Sequence, residues 1–385
     1  MAIKIAYCIP SLFSVGGMEK VLTLKANYFT EVFGYEVTII LTDGKNLSYA
    51  FPLSDKVKVI NLDINYEDIR RYKLLHKFIS YLYKQHLFKK RLTKTLFEIK
   101  PDITVSMLRR EINFITKIKD GSKKVGELHF NRLNYRDFNT KGISRGFKSL
   151  LSKIWMRQLI INLKKTDKFV VLSYEDMAQW IELDNVCVIY NPLAEFPEKA
   201  SECTSKKVIA AGRFVNQKGF DMLLESWKIV SKKHPEWTLD IYGSGNTKPY
   251  ITQIIQFGLE ESCFLHNSVL NINDKFIESS IFAFSSRFEG FGMVITEAMS
   301  CGIPPVAFAC HCGPKDIIND GVDGILVTPE CVDELAEKIC FLIENEDIRR
   351  EMGLKARIRA EQFKIDIIAK EWNTLFKNLL TTNNK

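Results

Sequence analysis

From Ile3 onward the chain alternates short β-rich runs with helical patterns, and it does so in two series separated by a break. KIAYCIP, EVTIILTD, VKVINLD, DITVSML, KKVGELHF, KFVVLS and NVCVIYNP read as strands of the first series. KVIAAG, TLDIYG, CFLHN, IFAFSS, PPVAF and GILVTP read as strands of the second. Alternation of this kind implies parallel sheets with helices on both faces, an α/β fold of two Rossmann-like domains. The break, AEFPEKASECTSKK, is polar, carries a proline and has no apolar period, so it reads as an interdomain linker. The expected division is 1–193 for the first domain, 194–207 for the linker, 208–364 for the second domain and 365–385 for a terminal helix.

Bulk properties narrow the class. A chain of 385 residues, 46% apolar and 26% charged, can bury two ordinary cores. No uninterrupted apolar run reaches about 18 residues, the usual minimum for a spanning helix. Nine cysteines, an odd and scattered set, fit free thiols in a reducing compartment better than a disulfide framework, so a cytoplasmic location is expected. Cys310, His311 and Cys312 cluster, but adjacent residues cannot easily all reach one tetrahedral ion, and the segment reads as a plain loop. Charge is unevenly placed: residues 1–190 hold 32 Lys and Arg against 19 Asp and Glu, and the rest hold 22 against 27. A basic first half suits nucleic acid or an anionic membrane surface, and composition does not choose between them.

The segment EGFGMVITE carries two carboxylates, Glu289 and Glu297, eight residues apart. Phe282, Ala283 and Phe284 read as a short buried strand before it, and Val294, Ile295 and Ala298 as one face of a helix after it. Glu289 thus falls in the turn at the carboxyl end of a strand, where ligands of open α/β sheets bind, and Glu297 a little over one turn into the helix. Gly290 completes the turn, and N–H groups near Phe291, Gly292 and Met293 can point at an anion or a sugar hydroxyl. Arg213 and Lys218 bracket another strand-to-helix loop, so both can converge on one anion. Gly16 and Gly17 follow the first strand and precede a helix with Val21, Leu24 and Tyr28 on one face; small residues there let backbone approach a ligand.

EGFGMVITE resembles the EX7E motif of retaining GT-B glycosyltransferases. SVGGMEK, GRFVNQKGFDMLLESW, IYGSG (with Gly243) and AMSCGIPPVAF resemble further signatures of glycosyltransferase family 4, in that family's order. The resemblance covers the C-terminal half almost throughout and is thinner in the N-terminal half. It implies two domains facing across a cleft, with the terminal helix crossing back onto the first. It also implies retention of anomeric configuration and a nucleotide-sugar donor, UDP- or GDP-linked. Arg213 and Lys218 would then bind the diphosphate, Glu289 hydroxyls of the transferred sugar, and Glu297 both ribose hydroxyls. His129, with Glu127 two residues back on the same strand face, would lie near the transferred sugar. No D-x-D triplet occurs, and no metal is expected. Sequences of this kind resemble bacterial enzymes that extend capsule, exopolysaccharide or lipopolysaccharide chains on a lipid carrier.

Two basic stretches bear on that acceptor. Leu75, Phe78, Ile79 and Leu82 recur at helical spacing among Arg70, Arg71, Lys73, Lys77, Lys84, Lys89, Lys90 and Arg91. Leu151, Ile154, Trp155 and Leu159 do so beside Lys148, Lys153, Arg157, Lys164 and Lys165. Either these apolar faces pack on the sheet, or the helices dock on anionic lipid headgroups at the inner face of the membrane. A non-hydrolysing nucleotide-sugar epimerase would share the architecture. A nucleic-acid-binding protein would leave the C-terminal motifs without a purpose and lacks an aromatic platform, so no nucleic-acid partner is expected.

Overall fold

The computed structural model describes residues 2–44, 47–71, 73–133, 135 and 145–381. The side chains of Arg70, Leu75, Lys148 and Leu151, counted in the amphipathic patterns, lie outside that description. The chain forms two units, the first from Met1–Leu172, Asp176–Ala194 and Ile365–Lys385, the second from Ser173–Glu175 and Glu195–Lys364.

In the first unit, β1 (Lys4–Ile9), β2 (Glu36–Leu41), β3 (Lys58–Asn61), β4 (Ile103–Ser106), β5 (Lys123–Glu127), β6 (Lys168–Val171) and β7 (Val186–Val188) pair in the order β3-β2-β1-β4-β5-β6-β7. All these pairings are parallel. Both faces of the central strand are buried: Ile5, Tyr7 and Ile9 enter one core, Ala6 and Cys8 the other. This is why KIAYCI reads as a continuous apolar run. The order reverses between β1 and β4, so a crevice opens at their carboxyl ends.

The second unit repeats the plan. Here β8 (Lys207–Ala211), β9 (Thr238–Gly243), β10 (Cys263–Asn267), β11 (Ile281–Phe284), β12 (Pro305–Phe308) and β13 (Ile325–Val327) pair in the order β10-β9-β8-β11-β12-β13, again all parallel. Its reversal lies between β8 and β11, the strands that precede Arg213 and Glu289. The segment 195–207 is laced onto this unit. Arg357 donates to the carbonyls of Pro197 and Ser300, and Arg349 to that of Cys203 at 2.9 Å.

Three local outcomes differ from the simplest reading of the sequence. The helix Gly17–Glu31 turns Met18, Leu22, Ala26 and Phe29 to the core, leaving Leu24 and Tyr28 partly covered, and it buries Lys25 completely. In the helix Leu74–Ile99 the fully buried contacts are Phe88, Leu92 and Leu96, with partly buried Tyr81 and Leu87 packed beside them. Phe78, Ile79, Leu82 and Tyr83 are 60%, 60%, 51% and 67% exposed. On the helix Arg145–Leu163, Ile154 and Trp155 are exposed while Leu159 is buried. Among the described side chains, the packed alternative fails at Phe78, Ile79, Leu82, Ile154 and Trp155 and holds at Leu159.

The helix Ile365–Thr381 belongs to the first unit. Its Phe376 ring meets Phe29 at 5.9 Å, and Trp372, 1% exposed, lies with its ring 4.1 Å from the Lys25 ammonium. Trp372→Ala should therefore cost about 3–5 kcal/mol of first-unit stability, the usual range for emptying a buried aromatic site. Chemical denaturation followed by tyrosine and tryptophan fluorescence would read this, and a loss below about 1 kcal/mol would contradict the packing.

Candidate active site

The second unit gathers charge at its switch point. After β8 the chain makes a short turn over Asn216–Lys218 and enters the helix Phe220–Lys233 through Gly219, at φ 63°. Only glycine fits there, because a Cβ would stand 2.0 Å from the carbonyl oxygen of Ser285 at the end of β11. This close approach brings the two loops together. Arg287 N–H donates to the Gln217 carbonyl at 2.8 Å, Gln217 Nε2 to the Phe288 carbonyl at 3.0 Å, and Ser285 Oγ to the Lys218 carbonyl at 3.0 Å. Arg287 also grips Asp221 in the first helical turn through two bonds of 2.9 and 2.6 Å, so the loop is clamped on both sides.

Within that frame Lys218 Nζ lies 2.7 Å from Glu289 Oε1, with side chains 15% and 9% exposed. Two residues 71 apart in sequence are thus one ion pair at the carboxyl edge of the sheet. Glu289 is further fixed by its N–H, which donates to the His311 carbonyl at 3.3 Å. Gly290 follows in the turn, Phe291 packs its ring on Phe363 at 5.8 Å, and Gly292, at φ 92°, opens the helix Met293–Ser300 without a side-chain cap. Gly292 thus brings no side-chain acceptor of its own to the first-turn N–H groups of that helix. Glu297 sits half-buried just past the first turn. Gly243 ends β9, where a Cβ would stand 1.9 Å from the Gly212 carbonyl, so it sets the spacing beside the Arg213 loop. Arg213 itself is exposed and does not join the Lys218–Glu289 pair.

The first unit carries its own cluster. Gly16 caps the helix Gly17–Glu31, and its missing side chain makes room for the Glu19 carboxylate, which accepts from Ser14 Oγ at 2.8 Å. At the end of β5, Glu127 is ion-paired with Lys25, and the two side chains are 1% and 0% exposed. His129 Nε2 lies 3.0 Å from the same Glu127 Oε1. Burial alone would raise the Glu127 pKa, but Lys25 and His129 together outweigh it and hold the carboxyl at about 2. Burial lowers the Lys25 pKa, with Glu127 opposing. Arg109 places its guanidinium 4.9 Å from the Phe130 ring, next to His129.

Among the described residues one group of side chains could crowd a metal ion: Glu175, His311 and Cys312, without Cys310. Glu175 is already engaged, accepting from Cys312 N–H at 2.7 Å and pairing with Lys315 at 3.1 Å and with His311 Nδ1 at 3.3 Å. Burial raises its pKa, but these partners outweigh that and hold it below the usual carboxylate range.

The sequence marks Lys218, Glu289, Glu297 and His129 as candidates, and it sets His311 and Cys312 side by side. It does not mark Lys25, the Asp221–Arg287 clamp or the joining of Glu175 to His311 and Cys312. A lysine on the core face of an apolar helix was the available signal for the first; the other two join residues too far apart in sequence to leave one.

The two doubly wound units have the fold of GT-B glycosyltransferases, and the chain is a glycosyltransferase. Residues 194–359 match the family described as Glycosyl transferases group 1. Over 376 residues the chain is 26% identical to an uncharacterized glycosyltransferase of Haemophilus influenzae, covering 96% of this chain and 98% of that one. It is 27% identical to an α-1,4-N-acetyl-D-galactosaminyltransferase of Campylobacter jejuni that acts on an undecaprenol-diphosphate-linked glycan, covering 96% and 97%. With the amylovoran biosynthesis glycosyltransferase AmsD of Erwinia amylovora it shares 31% identity, over 54% of this chain and 62% of that one. Among solved structures, sucrose-phosphate synthase of Thermosynechococcus elongatus superposes with a TM-score of 0.80 at 15% identity, covering 99% of this chain and 100% of that one. A Staphylococcus aureus TarM variant, in complex with fondaparinux, α-GlcNAc-glycerol and UDP, gives 0.73 at 18% identity, covering 97% and 100%.

Gly219→Ala should cost about 1–3 kcal/mol, through left-handed backbone strain plus the clash with Ser285. Its thermal midpoint should fall while Gly258→Ala, at a left-handed glycine with open space around it, falls less. Equal shifts for the two variants would mean the loop contact does not constrain Gly219.

Proposed function

We propose that the protein is a retaining, metal-independent glycosyltransferase of the family 4 type. It would move a sugar from a UDP- or GDP-linked donor to a saccharide acceptor carried on a lipid, in capsule, exopolysaccharide or lipopolysaccharide synthesis. The observation that carries this reading is the Lys218–Glu289 pair at the second unit's switch point. Breaking the sugar–phosphate bond drives negative charge onto the departing diphosphate, and a fixed cation stabilises it most where water is excluded. Lys218, mostly buried and backed by the clamped loop, supplies that charge, and Arg213 swings in from solvent to share it. Glu289 would exchange part of its bond with Lys218 for hydroxyls of the transferred sugar, with Gly290 and the N–H groups near Phe291, Gly292 and Met293 lining the turn. Glu297 would accept both ribose hydroxyls. The departing phosphate oxygen would take the acceptor's proton on the same face that the nucleophile attacks, which gives retention.

Gly16, Gly17 and His129 lie at the corresponding edge of the first unit, which would receive the acceptor. The name of the Campylobacter relative, with its lipid-diphosphate glycan, supports a lipid-linked acceptor, and the UDP in the TarM structure supports a nucleotide sugar. Among the described residues no helix is long and apolar enough to cross a membrane. The exposed Phe78, Ile79, Leu82 and Tyr83, beside exposed Lys73, Lys77, Lys89, Lys90 and Arg91, would instead hold the first unit against anionic lipid at the inner membrane face.

Transfer should persist in excess EDTA; loss on chelation, restored by Mg²⁺ or Mn²⁺, would overturn the metal-free mechanism. Glu297→Ala should weaken nucleotide binding by about 1–3 kcal/mol, while Glu289→Ala lowers turnover more than affinity. Matching losses of bare nucleotide affinity would refute those separate roles.

The protein should sediment with anionic but not neutral vesicles at low salt, each Lys or Arg adding up to about 1 kcal/mol. Phe78→Ser/Ile79→Ser and Lys89→Glu/Lys90→Glu should each weaken sedimentation without changing donor affinity. Retention on nucleic acid in preference to vesicles would favour the other partner class.

A further inference from the structure

The mechanism above gives no task to the buried Lys25–Glu127 pair. Lys25 and Glu127 are 102 residues apart in sequence and almost wholly out of water in the first unit. Exchanging such a pair for apolar side chains is often neutral or stabilising, so stability alone does not account for it. Its surroundings are built with some cost. The Lys25 ammonium has the Trp372 ring at 4.1 Å and the Tyr7 ring at 5.5 Å, and Glu127 Oε2 and Tyr7 Oη are both buried without a hydrogen-bond partner.

The group has one outlet. Glu127 Oε1 meets Lys25 on one side and His129 Nε2, at 3.0 Å, on the other. A carboxylate held ionised by Lys25 can only accept, so Nε2 must be the nitrogen that carries the proton. In the neutral ring the lone pair then resides on Nδ1, which no hydrogen bond reaches among the described residues. This is the carboxylate–imidazole arrangement by which a second group fixes a histidine's tautomer and direction.

We infer that Lys25 and Glu127 are positioning residues that lock His129 in its Nε2–H form, so that Nδ1 is the atom that accepts a hydroxyl of the bound saccharide. Lys25 keeps Glu127 a pure acceptor, and Trp372 of the terminal helix keeps Lys25 dry. The assignment of a saccharide hydroxyl rests on the glycosyltransferase reading proposed above; the tautomer lock does not.

Nitrogen NMR of protein labelled at its six histidines separates the two claims, because tautomers differ in nitrogen shift and proton coupling without any substrate present. His129→Asn identifies the His129 signals. At a pH where the ring is neutral, wild type should show Nε2 protonated and Nδ1 bare; a proton on Nδ1 overturns the lock. In Lys25→Met/Glu127→Gln, which removes both charges together, His129 should become a tautomer mixture. Turnover should fall at least about tenfold while nucleotide affinity stays within about twofold. A folded double variant with wild-type turnover would overturn the positioning role. Should that variant not fold, the wild-type spectrum still decides. A locked Nδ1 in a protein that transfers no sugar would leave the lock standing and sink the glycosyltransferase reading instead.

Discussion

A carboxylate that stays ionised out of water gains most from a cation beside it, and each unit has such a pair at the carboxyl end of its sheet. In each, a glutamate lies at the carboxyl end of a strand beside or near the reversal of sheet order, where the fold leaves a crevice. Glu289 is met by Lys218 from the neighbouring loop, and Glu127 by Lys25 from the first helix. Removing one member of such a pair costs about 3–5 kcal/mol, since the other is left buried and unpaired. The rest of the architecture follows from bringing the partners close. Gly219 exists to let one loop touch another, and the terminal helix returns to cover a lysine.

The two pairs differ in ways that suit different work. Lys218 and Glu289 keep some exposure, 15% and 9%, so an incoming anion can compete for the ammonium. Lys25 and Glu127 keep almost none, and no ligand of ordinary size reaches between them. The first pair can be exchanged during binding, whereas the second can only act through what it touches. That contrast fits the binding role proposed for the first pair and the positioning role proposed for the second.

Much of this was legible before any coordinates, for a definable reason. The thirteen strands among the described residues are short and punctuated by turn residues, and the central ones are buried on both faces, so local composition reports them. Glu289 and Glu297 were legible because they share one strand–turn–helix segment. Pairings across long separations were not: Lys25 with Glu127, Asp221 with Arg287, and Glu175 with His311 join distant segments by topology alone. The exposed stripe at Phe78, Ile79 and Leu82 was visible as periodicity, but which face met the sheet was not. Helical spacing gives a stripe and leaves its partner open, and here the fully buried positions of the helix begin only at Phe88.

Whether the Lys218–Glu289 pair seats the donor can be seen in a structure of the protein with a nucleoside diphosphate bound. A phosphate oxygen should lie about 2.7–3.2 Å from Lys218 Nζ, with the ribose hydroxyls on Glu297. A nucleotide bound elsewhere, with Lys218 still closed on Glu289 and no phosphate beside it, would contradict that role.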